Sequence, residues 1–363
     1  MMEYNFSNKL QEKIDFLNQK KTAIKLGSIH FSSKLLLAPL ASITDVPYRL
    51  LMQDLGSGGS VTELISCHGI NYNNEKTLKM LQINKAEKNV GIQLFGENPD
   101  DMARASVFCE KLGPHFIDIN VGCPVKKVVG KGAGAALLKD LALLQKIIVA
   151  VKKNISIPLT LKIRTGWSKN EIVAQDIADM AYNEKIEFIC LHGRSKDQLY
   201  SGYANWDYIE LVARNAKLPV VGNGDLHSAR FVREKMQTSS CPAFMLGRGP
   251  LRNPFLFLQS YAPDTPDHQI LFTPLDHLEV IHKLYSNMLK FYEKDRILEI
   301  QLKKHALWIT AGFPGASGLR KKLFTLKGHA DVHDYLVEYF QLLEDNISKH
   351  INHDLPFLSG GHG

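Results

Sequence analysis

The chain has 363 residues, 45% of them hydrophobic and 22% charged, which excludes a wholly disordered chain and leaves room for two domains, or for one large α/β barrel with an appendage. No apolar run reaches the ~18–20 residues of a membrane span, Glu12, Asp15, Lys20 and Lys21 break any leader-like apolar stretch, and five cysteines without a paired framework point to a reducing cytoplasm. Lys plus Arg number 44 against 37 acidic residues, a net charge of +7 that permits a nucleic-acid partner without establishing one.

Residues 1–34 form a lysine-rich extension in which Tyr4, Leu10, Ile14 and Leu17 fall on one helical face. From Leu35 onward, eight short apolar runs recur. They are LLLAPLA (35–41), VTELI (61–65), VGIQLFG (90–96), FIDINVGCP (116–124), PLTLKIRTG (158–166), FICLHGR (188–194), PVVGNGD (219–225) and AFMLGRG (243–249). The gaps hold amphipathic helical patterns such as DDMARASVFCEKL, LALLQKIIVAVKK and EIVAQDIADMAYNE. Eight strand–helix units at this spacing predict an α/β fold, a (β/α)8 TIM barrel over 35–263. The string GKGAGA at 130–135 follows a loop, so it is a weak dinucleotide fingerprint. After Asp264 the strand signal stops, and long helical patterns around a GFPGASG turn predict an all-helical domain over 264–350, followed by a mobile tail at 351–363.

Strand alternation sorts the side chains. In LTLKIR, Leu159, Leu161 and Ile163 share the face toward the outer helices, while Thr160, Lys162 and Arg164 point into the barrel. The same count places Gln93, Asn120, His192 and Asn223 at the carboxyl ends of other strands, where barrels of this kind build active sites. Gly222, Gly224, Gly247 and Gly249, with Arg248 between the last two, cluster at the ends of the final two strands and predict a phosphate site. A lysine beside such a site has two uses, a Schiff base or a cation next to a flavin ring, and the residues alone leave both open. Cys123 follows the fourth strand between Gly122 and Pro124, as a thiol over the mouth able to act as an acid. Lys126, Lys127 and Lys131 lie on the same loop. Cys67 and His68 lack a second ligand pair, so no metal site is expected.

The combination LLLAPLASITD, GIQLFG, DINVGCPVKKVVGKGAGAALL, LKIRTGW, LHGRS with YSGYANWD, GNGD and GRG resembles the tRNA-dihydrouridine synthase family, from about Leu35 to Arg320. The segment KKHALWITAGFPGASGLRKKL is similar to that family's RNA-binding helical part. The resemblance implies a TIM barrel holding FMN, reduced by NADPH (or NADH), that reduces the C5–C6 double bond of selected tRNA uridines. It makes Cys123 the proton donor to C5. It places Pro39, Leu40 and Ala41 at the first flavin-contacting turn, Gln93 and Lys162 at the flavin ring with His192 beside them, and Asn223, Gly224, Asp225, Gly247 and Arg248 at the ribityl-phosphate end. Asn120 would face the uracil. Leu40, Ser42, Leu64, Ser195 and Gly222 stand where Met, Gly, Met, Thr and Ala are frequent, so the target uridine and the subfamily are left open.

Extruding a uridine requires phosphate contacts from Lys and Arg. Residues 264–350 carry 11 basic against 12 acidic side chains, so the expected tRNA contacts are local: Lys303, Lys304, Arg320, Lys321 and Lys322, with Lys126, Lys127 and Arg164 on the barrel. No membrane contact and no obligate protein partner are expected. The competing readings are a small-molecule FMN oxidoreductase of the dihydroorotate dehydrogenase type and a non-catalytic tRNA-binding factor.

Overall fold

The computed structural model describes residues 4–262 and 272–346, with side chains given up to 343. The boundary expected near 264 and the tail at 351–363 lie outside the described residues.

Asn8–Asn18 is a helix capped by the Ser7 hydroxyl, which accepts from the Leu10 N–H. Leu10, Ile14 and Leu17 are buried, as their spacing anticipated. A hairpin follows, β1 (Ile24–Leu26) paired antiparallel with β2 (Ile29–Phe31) and turning at Gly27 with φ 59°. Sequence reading missed this hairpin, because three-residue strands carry too little alternation to register. Its Leu26, Ile29 and Phe31 pack inside the barrel floor with Phe116 and Phe188.

All eight apolar runs become parallel strands. They are β3 (Leu35–Leu37), β4 (Ser60–Ser66), β5 (Val90–Phe95), β6 (Phe116–Val121) and β7 (Leu159–Arg164); after a short antiparallel pair, β8 (Gly166–Ser168) with β9 (Glu171–Ile172), come β10 (Ile189–His192), β11 (Val220–Asn223) and β12 (Ala243–Leu246). β3 to β7 and β10 to β12 form one closed ring, sealed where β7 pairs with β10. The expected helix 171–184 instead begins at Ala174, because Glu171 and Ile172 pair back on Gly166 and Ser168. Leu159, Leu161 and Ile163 face the outer core, and Thr160, Lys162 and Arg164 face inward, as alternation requires.

Among the described residues, four helices stand beyond the barrel: Pro274–Phe291, Asp295–Ile309, Ala316–Thr325 and His329–Asn346. Three long patterns were expected. The additional one, Ala316–Thr325, opens at Gly315 with φ 73°, within the segment read as a turn. These helices rest on the barrel helix Val46–Asp54: the Asn287 amide donates to the Pro47 carbonyl at 3.3 Å, and Tyr48 stacks on His305 at 5.0 Å. Leu278, Ile281, Leu284 and Met288 belong to the same continuous apolar core as Leu10, Leu51 and Met52. Among the described residues, no helix is long and apolar enough to cross a membrane.

Candidate active site

Register decides which polar side chains meet at the mouth. Gln93 lies opposite Asp118, Asn120 opposite Lys162, and His192 between Arg164 and Asn223. The Gln93 amide donates to Asp118 Oδ2 at 2.6 Å and accepts from the Asn120 amide at 2.8 Å. Thr160 Oγ1 donates to Asp118 Oδ1 at 2.6 Å. Burial raises the Asp118 carboxyl from 3.8 to about 6, against the hydrogen bonds from Gln93 and Thr160 and the charge of Lys162. Lys162 Nζ donates to Asn223 Oδ1 at 3.0 Å, and Asn223 Nδ2 to the Met245 carbonyl at 2.6 Å. Gln93, Lys162 and Asn223 are thus locked in orientation before any ligand arrives.

Asn120 also fixes the cysteine turn. Its Oδ1 accepts from the Gly122 and Cys123 N–H groups at 3.1 and 2.8 Å. The string GKGAGA is a structural turn here: Gly132 and Gly134 have φ of 84° and 60°. The Ala135 N–H closes on the Cys123 carbonyl at 3.0 Å. A Cβ at Gly134 would lie 2.9 Å from that carbonyl oxygen, so only glycine lets the loop fold back over Cys123. Burial pushes the Cys123 thiol above its ordinary value, outweighing the Val125 N–H and the charge of Arg164, so the sulfur carries its proton at neutral pH.

At the opposite wall, Arg194 grips Asp225 with two N–H···O contacts of 2.9 Å. Burial opposes ionisation of Asp225, but His227, Arg194 and the Ala204 N–H together hold its carboxyl well below the usual range. His192 is neutral: burial, then the cations Arg164, Lys162, Arg194 and Arg248, depress its pKa strongly. Its Nε2 faces Arg194 Nη1 at 3.4 Å and so accepts. Gly224, at φ 134°, has no room for a side chain, since a Cβ would come within 2.5 Å of Ala204 Cβ.

One cleft gathers Pro39, Leu40, Ala41, Gln93, Asn120, Cys123, Lys162, Arg164, His192, Asn223, Gly224, Asp225, Gly247 and Arg248. Four cationic side chains line it, Lys162, Arg164, Arg194 and Arg248, against one lining carboxylate among the described residues, Asp225. Ala38, Pro39, Leu40, Leu64 and Met245 make its apolar wall. This donor set fits a flat ring system carrying a phosphate: apolar contacts for the ring, fixed amide and ammonium groups at its polar edge, and cations for the anion.

The expected tRNA contacts divide. Lys126 and Lys127 are exposed on the short helix Lys126–Val129 after Cys123, and Arg320 and Lys321 are exposed on Ala316–Thr325. Two others depart from expectation. Lys303 is turned inward, onto Glu299 at 2.5 Å and the Leu326 carbonyl at 2.7 Å. Lys304 donates to the Ser42 carbonyl at 2.8 Å, beside Glu63 and Asp45. Both ammoniums compensate local acceptors, so the five-residue basic cluster does not form one surface. Arg164 likewise spends its donors inside, on the carbonyls of Gly122, Ser195 and Leu199 at 2.8, 2.8 and 2.9 Å. It ties the cysteine turn to the loop after β10.

Sequence reading missed Asp118, Arg194 and Tyr200. Asp118 was within reach, lying two residues before Asn120 on the same face. Arg194 and Tyr200 sit beyond the strand end, where alternation gives no direction. Tyr200 lines the cleft under Arg164 and Arg248, at 5.7 and 5.2 Å from its ring centre.

Comparison with known proteins agrees with this geometry. By structure, the chain matches 2-naphthoyl-CoA reductase in complex with 2-naphthoyl-CoA at a TM-score of 0.53 and 11% identity, covering 67% of this chain and 52% of that one; a likeness this remote shows the fold alone. By sequence, it is 34% identical over 324 residues to a probable tRNA-dihydrouridine synthase of Rickettsia prowazekii, covering 89% of this chain and 99% of that protein. It is 31% identical over 314 residues to tRNA-dihydrouridine synthase B of Pseudomonas aeruginosa, covering 84% and 92%. The family model for dihydrouridine synthase matches residues 36–346, which span both the barrel and the helices beyond it. With the cysteine turn, the polar mouth and the helical segment inside one family match, the chain belongs to the dihydrouridine synthase (Dus) family.

Proposed function

We propose that this protein reduces uridines in tRNA to dihydrouridine in the cytoplasm, with FMN as bound cofactor and NADPH, or NADH, as the source of electrons. The observation that carries the reading is the half-buried thiol of Cys123, its pKa pushed up by burial, sharing one cleft with the pre-oriented Gln93 and Lys162. When bound, reduced flavin supplies hydride to C6 of the uracil. Pro39, Leu40 and Ala41 would support the ring, with Gln93 and Lys162 at its polar edge and neutral His192 beside it. Asn223, Gly224, Gly247 and Arg248 would take the ribityl phosphate, and Asp225 would hold Arg194 and Arg248 in place.

Cys123 gives its proton to C5, and the thiolate then regains one from solvent. NADPH, one proton and uridine thereby balance against NADP+ and dihydrouridine. Asn120 holds the cysteine turn through its carbonyl oxygen and faces the base. Lys126, Lys127, Arg320 and Lys321 contact phosphates, Lys304 and Arg164 brace the site from within, and Lys303 ties its own helix to the Leu326 carbonyl.

Cys123→Ala tests the reading. The flavin-loaded variant should still oxidise NADPH but lose dihydrouridine formation by at least 100-fold, in the range expected for removing a general acid, when product tRNA is read by mass spectrometry. Undiminished product would remove the acid role. The thiol is active only while protonated, so wild-type product formation should fall as pH rises through its raised pKa. Charge substitutions on the intact chain separate this reading from a small-molecule oxidoreductase better than deleting the helices, whose removal would strip cover from Tyr48 and Met52.

A further inference from the structure

The cysteine loop and the hairpin beyond β7 carry a feature that the cleft does not use. Trp167 on β8 has Lys196 Nζ at 4.1 Å and Lys139 Nζ at 5.0 Å from its ring centre. The two lysines come from different segments. Lys139 ends the 3₁₀ turn Gly134–Lys139 that closes the cysteine loop, and Lys196 lies on the loop after β10. Backbone bonds fix the arrangement: the Lys196 N–H donates to the Gly166 carbonyl at 2.9 Å and the Asp197 N–H to the Trp167 carbonyl at 3.1 Å. Arg164 fastens the same loop to the cysteine turn, so the indole and the reactive thiol stand on one braced wall.

Two like charges gathered on one ring repel each other, and the ring quadrupole compensates only in part. Neither ammonium meets a carboxylate among the described residues: Asp197 is engaged with the Ser195 hydroxyl, and Glu171 with Ser168 at 3.0 Å. This contrasts with Lys303, which has Glu299. An anion from outside would therefore meet two ammoniums that no carboxylate among the described residues has already paired. Paired cations around an aromatic face, beside a cleft that takes an extruded base, match the chemistry of a nucleic-acid backbone.

We propose that Lys139, Trp167 and Lys196 form a phosphate-binding platform for the tRNA strand next to the extruded uridine, on the cysteine-loop side of the mouth. The inference rests on the tRNA reading above and extends it to a surface outside the cleft. The indole holds the two ammoniums at a fixed spacing, so that two phosphates are met without ordering two free lysine side chains.

The test is tRNA affinity of the flavin-loaded protein measured across salt concentration. Each neutralised phosphate contributes about 0.7–0.9 to the slope of log K against log salt. The K139Q/K196Q double variant should therefore lose about 1.4–1.8 of slope. A control pair on exposed lysines at the barrel floor, K25Q/K153Q, removes the same charge and should leave the slope as in wild type. W167L should weaken binding several-fold at physiological salt, and W167F, which keeps a ring under both ammoniums, should restore it. A double variant that keeps the full wild-type slope, or a floor control that loses as much, overturns the platform alone. A wild-type protein that binds no tRNA even at low salt overturns the platform and the tRNA reading together.

Discussion

The two ends of the barrel are built from the same eight strands by opposite rules. At the floor, Phe31, Phe116 and Phe188 meet edge to face, with ring centres 6.0–6.2 Å apart, and the β1–β2 hairpin closes over them. Space there is made by glycine: a Cβ on Gly91 would lie 2.2 Å from the Phe116 ring, and one on Gly59 would lie 2.7 Å from Phe31. At the mouth, at the far ends of the strands, the inward positions are Asp118, Asn120, Lys162, His192 and Asn223, each held by a hydrogen bond to a polar neighbour. Shape complementarity stabilises one end, and polar satisfaction orients the other. Substitutions at the floor should therefore change stability without changing chemistry, and those at the mouth should change both, because the same hydrogen bonds that orient the polar groups also satisfy them.

Phe116→Ala is the strongest test of the floor rule. Removing a fully buried ring should cost about 3–5 kcal/mol of stability, read by urea denaturation of the flavin-free protein. The pH dependence of product formation should stay where it was, because Phe116 begins β6 while Cys123 lies beyond its far end. A variant as stable as wild type would mean that the floor collapses freely and that the hairpin is not a plug.

Asp118→Asn sharpens the mouth rule. In either protonation state the Asp118 carboxyl offers an oxygen to each of Gln93 and Thr160, whereas asparagine offers one oxygen and an N–H2, so the variant should lose about 1–3 kcal/mol. The size of that loss should depend on pH. With its carboxyl raised from 3.8 to about 6, folded Asp118 keeps a proton between those values that the unfolded chain has released. This contribution to wild-type stability is present below about pH 4 and is lost as pH rises toward 6. The gap between wild type and D118N is accordingly largest near pH 4 and narrows by pH 7. A constant gap would show that Asp118 is ionised throughout. Gln93, freed from one partner, should also turn, and flavin affinity should weaken with it.

The mouth was more legible from sequence than the floor, and the reason is physical. Polar residues at inward strand positions are rare, so a single alternation count from LTLKIR located Lys162 and Arg164, and the same count on neighbouring strands found Gln93, Asn120, His192 and Asn223. The floor is apolar on both faces of its strands, where alternation carries no contrast. Phe116 and Phe188 looked like any other core residue, and the hairpin that meets them was too short to see. Charge was legible as composition but not as direction. Lys303 and Lys304 read like Arg320 and Lys321 in sequence, yet the first pair turns toward Glu299, Ser42 and Glu63. Only the three-dimensional placement of those acceptors separates a brace from a free cation.

Ser42→Gly gives the smallest expected effect and bears on the seam between mouth and helices. Ser42 sits at φ 60°, a conformation that is strained for a side chain and free for glycine. What holds the residue is its backbone: the N–H donates to Glu63, and the carbonyl accepts from Lys304 Nζ at 2.8 Å. Both bonds survive replacement by glycine. Relief of the left-handed strain, about 1–2 kcal/mol, opposes the extra unfolded-state freedom of glycine, about 0.5–1 kcal/mol. The net expectation is a stabilisation of at most about 1.5 kcal/mol, read as a small rise in denaturation midpoint at unchanged flavin affinity. A clear destabilisation would mean that the Ser42 side chain, rather than its peptide groups, secures the turn carrying Pro39, Leu40 and Ala41, and the mouth would then depend on side-chain packing as the floor does.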